Sequence, residues 1–192
     1  MKTLKRYFHL ATINLLMISM LFSCSNDDGN NGNNNSINGD NYVDYTVSGS
    51  TLNDSFSISD VDSDDNVSMI GSYYSEQLTG QDPIITLVMF DSQNNSEFAV
   101  VLPAQIGSWE VTAGNSNNFD VFIITPDSSG FLEPIMVTVN ITELEINQNE
   151  SISLALEHIK ATFSGSFELT YDNDGQEVVE PHNLTGEFAY HL

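Results

Sequence analysis

The sequence predicts a single all-β domain, an antiparallel β-sandwich, with a closed β-barrel as the alternative because strand number alone does not separate the two. Three observations lead there. From residue 42 to residue 192 the chain is a succession of short runs rich in Val, Ile, Thr, Phe and Tyr, set apart by Gly, Asn, Asp and Pro. No stretch keeps the apolar period of a helix for three turns. Near the end of the chain, Asp174-Gly175 separates two long alternating runs, and Asp-Gly favours a two-residue hairpin turn because that turn needs positive φ. About 150 residues suffice for one domain with a full core.

The expected strands follow in order: 42–48, 54–59, 67–74, 83–91, 97–102, 108–113, 118–125, 135–146, 151–156, 158–171 and 178–192. The five prolines fall at turns or strand edges, where a missing N–H costs least. Parity adds detail. Ile135, Val137, Val139 and Ile141 share one face, whereas Leu144 and Ile146 have the opposite parity, so a bulge or bend near Thr142-Glu143 must reset the register. Ile152, Leu154 and Leu156 are even, but Ala161, Phe163, Phe167, Leu169 and Tyr171 are odd. That switch falls at Glu157-His158. Beyond it, His158, Lys160, Thr162, Ser164, Ser166, Glu168 and Thr170 form one polar row, as a sheet with one face in water requires. Phe163, Phe167, Leu169, Phe188 and Tyr190 are the expected core of the closing hairpin.

The first 41 residues read differently. Lys2, Lys5 and Arg6 precede an apolar run from Leu10 to Phe22, which ends in Leu21-Phe22-Ser23-Cys24. A basic head, about a dozen apolar residues and a small residue before the cut mark a secretory signal over residues 1–23. The run is shorter than the ~20 apolar residues of a stable membrane span. Leu21, Ser23 and Cys24 resemble the lipobox of a bacterial lipoprotein, which implies that Cys24 is the lipidation site. Ser25-Asn26-Asp27-Asp28 looks like the acidic tetrapeptide that sends Bacteroidota lipoproteins to the outside of the outer membrane. The resemblance implies an outer-membrane, lipid-anchored protein facing the cell exterior, with the membrane as a partner through that anchor. Residues 24–41 then form a lipidated Cys and a tether of Ser, Asn, Asp and Gly with Ile37 as its one apolar residue, too polar to bury anything.

The ending, Thr162-Phe163-Ser164-Gly165-Ser166-Phe167 with Leu184-Thr185-Gly186-Glu187-Phe188 across the Asp174-Gly175 turn, resembles the closing hairpin of small Bacteroidota surface lipoproteins. That likeness implies a β-rich fold. It brings no catalytic residues to carry over.

Charge excludes one class of partner. All 27 acidic residues follow Cys24 and Lys160 is the only Lys or Arg that follows it, so the cleaved chain carries a formal −26. Such a surface repels phosphates, so nucleic acid is ruled out. It attracts cations instead. Asp60, Asp62, Asp64 and Asp65 crowd four carboxylates into six residues of an expected loop. Alternate carboxylates suit calcium, which takes six to eight oxygens. The EF-hand pattern fails, with Asp65 where it has Gly and Gly71 where it has Glu. No other cofactor is expected. His158, His182 and His191 are too far apart in sequence for a compact metal motif and read as surface or strand-edge residues.

No Gly-x-Ser-x-Gly elbow and no phosphate-cradling Gly loop occurs. Trp109, the single Trp, reads as core or half-buried rather than as a sugar platform. The expectation is therefore a non-catalytic surface module that binds glycan, protein or envelope polymer. The alternative is a hydrolase acting on an exported polysaccharide or other envelope substrate. A cleft with two carboxylates about 5–10 Å apart would favour the latter.

Overall fold

The computed structural model describes residues 41–192 apart from 61–65, 113–119, 125–129 and 151–153. Ten strands are found among the described residues, β1 (Tyr42–Ser48), β2 (Asn53–Ser59), β3 (Val67–Tyr74), β4 (Ile84–Asp91), β5 (Ser96–Pro103), β6 (Gly107–Thr112), β7 (Asp120–Ile124), β8 (Phe131–Ile146), β9 (Leu156–Asn173) and β10 (Gln176–His191). One helical turn, α1 (Glu76–Thr79), joins β3 to β4 and stops at Gly80, whose left-handed backbone returns its N–H to Glu76 O at 2.8 Å.

Every pairing is antiparallel, in the order β2-β1-β10-β9-β8-β7-β5-β4-β3. The sheet does not close into a barrel, because β2 and β3 stand at opposite ends of that order and do not pair. It folds over on itself instead, as a sandwich does. The ring of Phe98 on β5 lies 5.7 Å from Phe163 on β9 and 5.2 Å from Phe188 on β10, strands that are not its neighbours. Gly71 on β3 similarly receives the rings and methyls of Tyr190 and Leu156. The layers meet over Ile85, Leu87, Leu102, Phe167 and Phe188, all with no exposed surface. All five residues expected in the hairpin core are buried.

The long strands β8, β9 and β10 are the spine, and β8 carries a fork. One of its edges pairs with β9 along its length, while the other is shared, with β7 at Phe131 and Leu132 and with β6 from Met136 to Ile141. Two bulges allow this. Thr142 is the extra residue between Ile141, opposite Ala161, and Glu143, opposite Lys160, so the parity reset expected there occurs. A third irregularity between Glu145 and Ile146 skips Glu157, which is the expected switch at 157–158. The Asp174-Gly175 turn also forms as expected. Asn173 faces Gln176, and the two loop residues have φ of 54° and 81°.

Three expectations are corrected. Ile135 does not share the inner face with Val137; it is the extra residue of a bulge between Pro134 and Met136 and stands exposed, since Pro134 has no N–H to continue the ladder. Residues 154 and 155 form a turn and bend rather than the end of a strand over 151–156, whose first three residues lie outside the described ones. Thr170, read as outward, is buried.

Candidate functional site

The outward face of β2, β1, β10, β9, β8 and β6 is polar from edge to edge. Registers align Ser57, Asp44, Glu187, Thr162, Asn140 and Ser108 in one row, and Ser55, Thr46, Thr185, Ser164, Thr138 and Glu110 in the next. Paired residues in an antiparallel sheet point to the same side, so twelve hydroxyl, amide and carboxylate groups share one surface. Short cross-strand bonds order them: Thr46 Oγ1 to Ser55 Oγ at 2.9 Å, and Ser108 Oγ donating to Asn140 Oδ1 at 2.9 Å. Tyr42 donates its hydroxyl to Glu187 Oε1 at 3.2 Å.

Where the rows cross β2, β1, β10 and β9, the face dips into a shallow depression of about 520 Å³. Its rim is Asp44, Thr46, Ser55, Ser57, Thr162 and Thr185, and Glu187 and Gly186 also line it. Asp44 and Glu187 are direct cross-strand partners, which puts their Cβ atoms about 5 Å apart. Asp44 is exposed, and the depression is open to solvent.

The histidines are less simple than their sequence positions suggest. His182 is buried rather than superficial. Its Nε2 accepts from Leu52 N at 3.3 Å and its Nδ1 faces Glu180 O at 3.2 Å, which fits a neutral ring protonated on Nδ1. The ring fills the space where a Gly49 Cβ would stand. Beside it, Glu180 takes hydrogen bonds from Thr51 Oγ1 at 2.7 Å and Ser50 Oγ at 3.0 Å. Those bonds, Thr51 first, hold its carboxyl below the ordinary glutamate range. The pair clamps the β1–β2 turn onto β10.

His158 and His191 meet as cross-strand partners, their rings 5.6 Å apart and edge to face, and His158 Nε2 lies 3.2 Å from Glu143 Oε2. Their 33-residue separation hides this in the sequence. Among the described residues, no group of three or more His, Cys, Asp or Glu is placed to hold a metal ion. Of the four carboxylates expected to take calcium, Asp62, Asp64 and Asp65 lie outside the described residues, as does Cys24. Asp60 is described, and both its oxygens are engaged by Asn41, at 3.1 Å from the backbone N–H and 2.7 Å from Nδ2. Trp109 is half-buried against the core and donates Nε1–H to Gln105 O at 3.1 Å, as expected of a structural Trp.

Fold and surface together define a sandwich-like all-β domain with one broad polar face. No family model matches the chain, and no curated protein or solved structure matches it either.

Proposed function

We propose that the protein is an outer-membrane lipoprotein, held by an acylated Cys24 and facing the cell exterior, that acts as a non-catalytic binding or structural module. The observation that carries the binding role is the polar face, twelve aligned hydroxyl, amide and carboxylate groups around an open depression. A hydroxyl-rich polymer such as a glycan matches such donors and acceptors, while polyanions are repelled by −26 charges. The leader, the lipobox resemblance and the acidic tetrapeptide support the address. The test is co-sedimentation of the full chain, carrying Cys24→Ser, with purified cell-wall sacculi and with insoluble neutral glucans. Thr46→Arg with Thr185→Arg should reduce binding at least tenfold, and binding unchanged by that pair, or none at all, would refute the face as the site.

The hydrolase reading has one observation in its favour, the adjacent Asp44 and Glu187. Both stand on one sheet face rather than across a cleft, so they do not bracket a scissile bond. Hydrolysis of the same glucans that vanished with Glu187→Gln would establish it. Calcium at Asp60, Asp62, Asp64 and Asp65 rests on the crowding of carboxylates in the sequence.

A further inference from the structure

Where β9 begins and β10 ends, two imidazoles meet with chemistry that hydroxyls and carboxylates do not supply. Glu145, His158 and His191 fall in one register row across β8, β9 and β10, so their side chains leave the same side of the sheet. The rings of His158 and His191 lie 5.6 Å apart, centre to centre. Two imidazoles that each bind one metal at ~2.0–2.1 Å bring their ring centres to ~5–6 Å, so the pair stands at the spacing of a shared cation. Hydrogen bonds also leave each neutral ring a free donor atom. His191 Nδ1 lies 3.1 Å from Glu157 O, which only accepts, so Nδ1 carries the proton and Nε2 keeps its lone pair. His158 Nε2 lies 3.2 Å from Glu143 Oε2, and an ionised carboxylate only accepts, so the lone pair of that ring is on Nδ1. Neither of those two nitrogens has a hydrogen-bond partner among the described residues. A carbonyl or carboxylate behind the ring is what orients metal-binding imidazoles and raises their basicity. Although His191 is the last residue but one, it is held in place: its N–H donates to Asn41 Oδ1, and Leu192 N donates to Glu157 O at 3.0 Å.

We propose that His158 and His191 form a surface site for a divalent transition-metal ion, Cu²⁺ before Ni²⁺ or Zn²⁺. Imidazole suits these cations better than hard ones, and at a nitrogen site Cu²⁺ outranks the other two. No third His, Cys, Asp or Glu is placed to ligate among the described residues, so water completes the sphere and the ion is exchangeable. The −26 charges of the cleaved chain raise the concentration of cations at its surface. His182 cannot do the same, because it is buried with both ring nitrogens engaged. The site depends on neither the anchor nor the polymer-binding face.

The experiment titrates the full chain, carrying Cys24→Ser, with CuCl₂, NiCl₂ or ZnCl₂ alone in a non-chelating buffer, read by calorimetry. Copper should bind most tightly. His158→Gln and His191→Gln should each weaken it about tenfold or more, and His9→Gln in the leader should leave it unchanged. Should a variant fail to fold, the parent chain decides. Substoichiometric Cu²⁺ should broaden the imidazole NMR signals of His158 and His191 before that of His182, which lies nine residues and ~30 Å away along β10. Rings that merely pack edge to face would ignore the metal. Absence of copper binding, an affinity that survives both substitutions or falls with His9→Gln, or broadening shared equally by His182 overturns the proposal.

Discussion

Replacing Gly165 by alanine should destabilise the domain by about 2 kcal/mol, against the usual effect of removing a glycine from a strand. A Cβ on Gly165 would stand 2.2 Å from Met136 O and 2.6 Å from Val137 Cα. Both are backbone atoms of the strand opposite, just past the bulge at Ile135, so neither can swing aside. Overpacking of this kind costs ~1–3 kcal/mol, and a backbone neighbour puts it at the upper end. The lost freedom of the unfolded chain offsets ~0.4–1 kcal/mol of that. A net ~2 kcal/mol lowers the melting temperature by about 4–8 °C in a domain of this size. Gly186→Ala is the internal comparison. Its Cβ would meet Asp44 O at 2.5 Å but also the Phe163 ring, Cζ at 2.6 Å, which can partly yield. Its loss should therefore be smaller by about 1 kcal/mol. Thermal and urea unfolding, followed by circular dichroism, measure both. If Gly165→Ala melts within a degree of the parent or above it, the close approach of β8 and β9 is not the reason for that glycine.

Tyr45→Phe should raise stability by about 1 kcal/mol, because the buried Tyr45 hydroxyl has no hydrogen-bond partner among the described residues and burial pushes its ionisation above the ordinary range; urea unfolding decides, and a loss would mean that the hydroxyl has a partner. Glu180 and Glu97 should show opposite pH signatures in melts at pH 3, 4 and 7. A carboxyl held below its ordinary range stabilises the fold above that range and loses the effect as pH falls through its folded value, so Glu180→Gln should destabilise at pH 7 and be silent at pH 3. A carboxyl raised by burial contributes stability below the ordinary range and loses it as pH rises, so Glu97→Gln should stabilise at pH 7 and be neutral at pH 4. Millimolar calcium should stabilise the chain by about 0.4–1.4 kcal/mol at the affinity of extracellular sites, more than equal magnesium does, and Asp62→Asn with Asp64→Asn should remove the difference. Cys24→Ala should release the protein from membranes, as fractionation of cells would read; unchanged processing and attachment would refute the anchor.

Much of the architecture was legible because strand parity is a two-valued signal that a bulge inverts. The Leu144 and Ile146 inversion marked Thr142, and the Leu156 to Ala161 inversion marked Glu157. Ile135 escaped because an apolar side chain of the right parity looks buried, while the missing N–H of Pro134 acts on the ladder rather than on hydropathy. The fork on β8 was invisible for another reason: no local pattern tells which distant strand takes each half of an edge. His182 was misread because its partners, Gly49 and Leu52, lie about 130 residues away. Of the candidate surface, the outward row on β9 could be read from sequence, but not its alignment with β1, β2 and β10.

The placing of β1 between β2 and β10 has a consequence for how the chain reaches its form. A chain that emerges N-terminus first delivers β1 and β2 early, yet their partner is residues 176–191, and Asn41 and His191 are tied by a hydrogen bond only at the end. A two-stranded hairpin alone is marginal in water, so the opening strands must wait. Bringing together ends ~150 residues apart costs roughly 4–5 kcal/mol of loop entropy before any contact repays it. Pairings so distant fold in milliseconds to seconds rather than microseconds. Completion is therefore tied to the emergence of the last strand, and until then β1 and β2 wait without the partner that holds them in the sheet.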